Sequence, residues 1–101
     1  MGPRRYIGGM AALAHPSPQE ADVEQALSTV TPPKGVRLLR FALDTDWSGD
    51  PAIHVVYGVS KKIPLTKARI RALVTLSRTA ADAVDKMQLD RHTYVSFDDV
   101  R

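Results

Sequence analysis

The stretch Asp44-Thr45-Asp46-Trp47-Ser48-Gly49-Asp50-Pro51 places side-chain oxygens at alternate positions just ahead of a glycine. Calcium loops begin this way, because a hard cation needs several oxygens and a sharp turn to bring them together. Such a loop closes with a bidentate glutamate at its twelfth position. Counted from Asp44, that position is Val55, which has no side-chain oxygen, and Pro51 falls inside the loop. The residues also have local uses. Asp and Ser side chains bond nearby amides, Gly49 permits positive φ, and Pro51 starts a returning strand. The stretch therefore reads as a hairpin loop, and no metal is assigned to it. Trp47 asks for more, since a loop tryptophan either folds back onto the core or contacts a partner.

Charge is segregated further along. Between Pro51 and Ala81 there are six basic residues, Lys61, Lys62, Lys67, Arg69, Arg71 and Arg78, and no acid. Lys67, Arg71 and Arg78 fall four and seven residues apart, so they share one face of a helix. Several lie near the start of that helix, where the macrodipole disfavours cations. Lys62, Lys67, Arg71 and Arg78 are the candidate binding residues of a surface for phosphates or an acidic protein. The alternative is a solvated face balanced by Glu20, Asp22 and Glu24. Against RNA, there is no glycine-rich phosphate loop and no row of aromatics for base stacking.

The three histidines, His15, His54 and His92, are far apart and show no metal-ligand spacing. Asp90 lies close to His92, but no nucleophile accompanies them. No catalytic residue, enzymatic activity, cofactor or small-molecule substrate is inferred. The chain has no cysteine, which removes disulfides and thiolate chemistry and fits a cytoplasmic location. A net charge of +3 is too small to imply nucleic acid by itself. No apolar run approaches the roughly 20 residues of a membrane-spanning helix, so no membrane partner is expected. The opening imitates a signal peptide, with Arg4 and Arg5 before a short apolar run and Ala12-Leu13-Ala14 as a cleavage-like site. Glycines interrupt that run, and such signals usually have about 15 to 30 residues. Residues 1–16 are expected to form a flexible tail, with Met10 as an alternative start.

With 101 residues, 44% hydrophobic and 25% charged, the remainder is expected to form one domain over 17–101. Ser17, Pro18 and Glu20 form a helix-start signature, and Ala26, Leu27 and Val30 supply that helix's apolar side. Pro32 and Pro33 end it. Residues 36–43 and 52–59 are β-branched and aromatic, and predict an antiparallel hairpin. Alternation assigns Leu39, Phe41, Leu43, Ile53, Val55, Tyr57 and Val59 to the core face. A helix is predicted from about Leu65 to Met87, with Leu65, Ile70, Leu73, Val74, Ala81, Val84 and Met87 near its apolar stripe. Residues 94–97 predict a short closing strand. The order α–β–β–α–β gives an α+β fold: a three-stranded sheet with two helices on one face.

A sheet covered on one side leaves the other wet. That open face is expected to carry Leu38, Arg40, Ala42, His54 and Val56, with His54 opposite Arg40 where the register allows, a half-apolar mixture typical of a partner surface or dimer. Leu38, Arg40, His54, Val56 and Trp47 are the candidate interface, and the closing strand is expected to leave a pairable edge.

Residues 36–59, with the closing Tyr94-Val95-Ser96-Phe97, resemble small uncharacterised bacterial proteins encoded near toxin–antitoxin or defence genes. The α–β–β–α–β layout, the basic helix and Phe97-Asp98-Asp99 are similar to ribosome-binding factor A, a KH-like RNA-binding family, although the KH Gly-x-x-Gly is absent. The first resemblance implies a bacterial partner of a toxin or defence protein, and the second implies RNA or ribosome binding by the basic helix. The expected function is a non-enzymatic binding module for a protein partner or for self-association, with KH-like RNA binding as the alternative.

Overall fold

The structure is a computed structural model and describes residues 18–100. The tail, the signal-like opening, Ser17 as a cap and His15 lie outside the described residues. The order is α1 (Pro18–Ser28), β1 (Val36–Thr45), β2 (Pro51–Ser60), α2 (Lys67–Asp85) and β3 (His92–Val100). The sheet has three strands in the order β1-β2-β3, antiparallel between β1 and β2 and parallel between β2 and β3. The α+β fold with a three-stranded sheet is as expected. The closing strand is longer than 94–97 and pairs along the whole of β2, from Ala52 opposite His92 to Ser60 opposite Val100.

Both helices bury their apolar sides against one face of the sheet. Val23, Ala26, Leu27 and Val30 come from α1 and its exit, and Leu76, Ala80 and Val84 from α2. They meet Ile53, Val55, Tyr57 and Val59 of the central strand, all of which are buried. Phe41 and Leu43 of β1 and Val95 and Phe97 of β3 pack at the margins. Taking this apolar surface out of water is what holds the two layers together.

Three expectations need correction. First, β1 is not a plain alternating strand. Leu38 pairs with Tyr57 and Arg40 with Val56, so Leu39 is the extra residue of a β-bulge. A bulge shifts the pleat by one residue. Leu38 therefore sits opposite the core residue Tyr57, while Leu39 moves to the open face, with its side chain over Gly58. A Cβ at Gly58 would lie 3.0 Å from both Leu39 and Val100, so the bare backbone there makes room for both side chains. Second, Arg40 does not face His54; Ala42 does, and Arg40 faces Val56. Third, the buried stripe of α2 is Leu73, Leu76, Ala80, Ala83, Val84 and Met87, whereas Leu65, Ile70 and Val74 are exposed. The helix starts later than expected because Thr66 caps it, its side chain accepting from the Arg69 amide at 3.1 Å. The apolar face then begins only at Leu73.

Candidate functional site: an aromatic cluster on the open sheet face

Alternation along β2 sends Ala52, His54, Val56 and Gly58 to the face opposite the helices. The parallel register brings His92, Tyr94, Ser96 and Asp98 of β3 beside them. Tyr94 is the centre. Its ring stacks on His54 at 5.7 Å and 20°, meets Trp47 at 5.4 Å and 55°, and lies 6.5 Å from His92. Ala52 is fully buried yet stands apart from the main core, as a residue on this face of the sheet should.

Asp46 ties the hairpin loop to this cluster. One carboxylate oxygen accepts from the Ser48 amide at 2.8 Å and the Asp50 amide at 3.1 Å. The other accepts from the Tyr94 hydroxyl at 3.0 Å. Gly49 takes a positive φ of 86° and donates its amide to the Asp46 carbonyl, closing the turn. Partial desolvation pushes the Asp46 carboxyl up, but the Asp50 and Ser48 amides, the Tyr94 hydroxyl and the nearby His92 outweigh it and hold the group below its ordinary value. The same bond raises the Tyr94 hydroxyl, helped by desolvation and by the charges of Asp46 and Asp50. His54 Nε2 lies 3.0 Å from the Thr45 carbonyl. A carbonyl only accepts, so Nε2 carries the proton in this contact.

Two features fasten the cluster to the rest of the domain. Arg91 donates to Gln19 of α1 at 2.9 Å and to the carbonyls of Asp44 and Ala52 at 3.0 and 3.2 Å. One guanidinium fork thus joins α1, β1 and β2 just before β3 begins. At the other end of the open face, Arg40 and Asp98 form a solvent-exposed salt bridge of 3.1 Å.

Arg40, His54, Val56 and Trp47, four of the candidate interface residues, lie on this face or in the loop beside it. Leu38 is not with them; the bulge puts it opposite Tyr57, where it stays 38% exposed. Trp47 is 84% exposed. It is held from one side by Tyr94 and is otherwise open to solvent.

The basic candidates lie elsewhere. Lys67, Arg71 and Arg78 are exposed on α2, on the helical side of the domain, and Lys62 is exposed in the turn before it. Among the described residues, no ion pair engages any of these four. Tyr94 and Arg91 were missed as site residues by sequence reasoning, and Asp46 was singled out only as part of the hairpin loop. Residue types alone do not reveal them, because it is the parallel register of β3 that brings Tyr94 to the hairpin loop.

No family model, curated protein or solved structure matches the chain.

Proposed function

We propose that this chain is a non-enzymatic binding module whose open sheet face takes a protein partner. The observation that carries this reading is Trp47, 84% exposed and oriented by Tyr94, which Asp46 in turn holds. An indole displayed this way gives large contact area at little conformational cost, as interface anchors do. Its surroundings suggest the chemistry of the partner. Asp44, Asp46 and Asp50 flank the indole, so a segment presenting an apolar side chain next to a lysine or arginine fits best. Arg40, Val56 and His54 would extend the contact across the face.

RNA binding by Lys62, Lys67, Arg71 and Arg78 is the second reading, favoured by the lack of ion pairs to these cations. Against it, the aromatic cluster and the basic helix occupy opposite sides of the domain. One nucleic-acid strand could not stack on the first and place its phosphates on the second.

The test is affinity capture from the native host with wild type, Trp47→Ala and Lys67→Glu/Arg71→Glu in parallel, identifying both protein and nucleic acid. The proposal expects a protein that is lost with Trp47→Ala, retained by the double variant and little affected by salt. Capture of RNA that falls steeply with salt and disappears in the double variant would support the second reading instead.

A further inference from the structure

The two edges of the sheet differ in how they meet solvent. β1 is bulged at Leu39 and carries Arg37 and Arg40, features that discourage another strand from pairing. β3 has nine residues, His92–Val100, with no proline, no lysine and no irregularity in its pairing with β2. Among the described residues, no strand pairs with its outer side.

Helix α2 lies above this edge. One flank, Ala72, Thr75, Leu76 and Thr79, borders Val30 and Pro33 at the exit of α1. The other flank, Ser77, Arg78 and Ala81, borders Thr93 and Val95 of β3. At 3.6 residues per turn, Ile70 and Val74 continue that second flank. They are 50% and 44% exposed, above the free edge of the sheet.

The charges of α2 oppose its own dipole. Its first turn has no acid and its last turn no base; Lys67, Arg69 and Arg71 stand near the start, and Asp82 and Asp85 near the end. An antiparallel copy of the same helix alongside would set each basic start against an acidic end.

We propose that the chain forms a two-fold homodimer in which the β3 edges pair antiparallel and the two α2 helices lie side by side. The inference rests on reading the chain as an association module, but pairs through the β3 edge beside the cluster rather than through Trp47 itself. Registers on strand and helix agree. A two-fold axis at Ser96 sets Val95 opposite Phe97 of the partner subunit, Tyr94 opposite Asp98 of the partner subunit and Thr93 opposite Asp99 of the partner subunit, so no like charges face each other. The Thr93 hydroxyl donates to Asp85 at 3.2 Å, which levels the end of α2 with the start of β3. From Thr93 to Ser96 the strand rises about 10 Å, the length of about seven helical residues. The axis therefore passes α2 near Arg78 and sets Arg71 level with Asp85 of the partner subunit. Arg78 comes nearest the axis, level with Arg78 of the partner subunit, and that like-charge pair is offset by Asp82 of the partner subunit roughly one helical turn away.

Light scattering and sedimentation equilibrium on the full chain test this. The wild type is expected at twice the chain mass. Ser96→Lys sets like charges against each other across the axis, and Val74→Glu charges the helix seam; both positions are exposed or half-exposed in the single chain. Each is expected to raise the dimer dissociation constant roughly tenfold or more with circular dichroism unchanged, as loss of a central contact does. Arg71→Asp should weaken the dimer, and adding Asp85→Arg in the same chain should restore it. A wild type that stays monomeric at hundreds of micromolar overturns the proposal. So does a dimer indifferent to Ser96→Lys and Val74→Glu. A dimer lost with Trp47→Ala but kept with Ser96→Lys would move self-association to the open face. The edge proposal would then fail and the reading of that face would stand.

Discussion

The two faces of the sheet are built from the same strands and differ in kind. The covered face is filled by Ile53, Val55, Tyr57 and Val59 under two helices, and these side chains need little beyond shape and removal from water. The open face holds directed contacts: Tyr94 bonded to Asp46 and stacked on His54, with Trp47 tilted against it. Surface contacts of this sort contribute little to folding. On the proposed reading, the exposed indole held there serves a partner rather than stability. The difference should show in how each face responds to substitution.

The largest effect belongs to the covered face. Ile53→Ala should cost about 2–5 kcal/mol in chemical denaturation, since the site is fully buried in the main cluster. Next comes the link between the faces. Arg91→Ala removes three hydrogen bonds from a half-buried guanidinium and should cost about 1–3 kcal/mol. A loss as large as that of Ile53→Ala would mean that the hairpin end folds only when Arg91 clamps it.

The open face should respond to pH rather than to truncation. The folded pKa of Asp46 lies below its ordinary value of 3.8, so its contribution is full above that value and fades as pH falls. The folded pKa of Tyr94 lies above its ordinary value of 10.0, so its contribution is full below pH 10 and is lost as pH rises through the folded value. Tyr94→Phe should shrink both arms of the Tm–pH curve. Part of the alkaline arm should persist, because burial also raises Tyr57. Unchanged arms would show that the Tyr94–Asp46 bond is absent in solution. Smallest of all, Trp47→Ala should change stability by no more than about 0.5 kcal/mol, because the indole is mostly solvated. A loss of several kcal/mol would make Trp47 a structural residue and remove the ground for treating it as an anchor.

The covered face was largely legible in the residues. Alternation at Ile53, Val55, Tyr57 and Val59 and the proline stop after α1 declare the period of each element and where it ends. Leu38 and Leu39 could not be placed that way, because a bulge is settled by pairing and leaves no mark on a run of apolar residues. Ile70 and Val74 misled for a related reason. They obey the helical period, but the flank they occupy looks over a sheet edge rather than onto the core. The open-face cluster was the least legible part. His54, Arg40, Val56 and Trp47 could be nominated from two strands and the loop between them, but Tyr94, 38 to 54 residues further along, joins them only through the parallel return of β3.

The most direct test follows the single tryptophan itself. Fluorine NMR of the chain labelled with fluorotryptophan reports from position 47 alone. On adding the protein partner recovered by capture, the account predicts that the resonance moves or broadens and loses its solvent isotope shift as the indole leaves water. Saturating binding with the resonance unmoved and still solvated would contradict the claim that the open face is the binding surface.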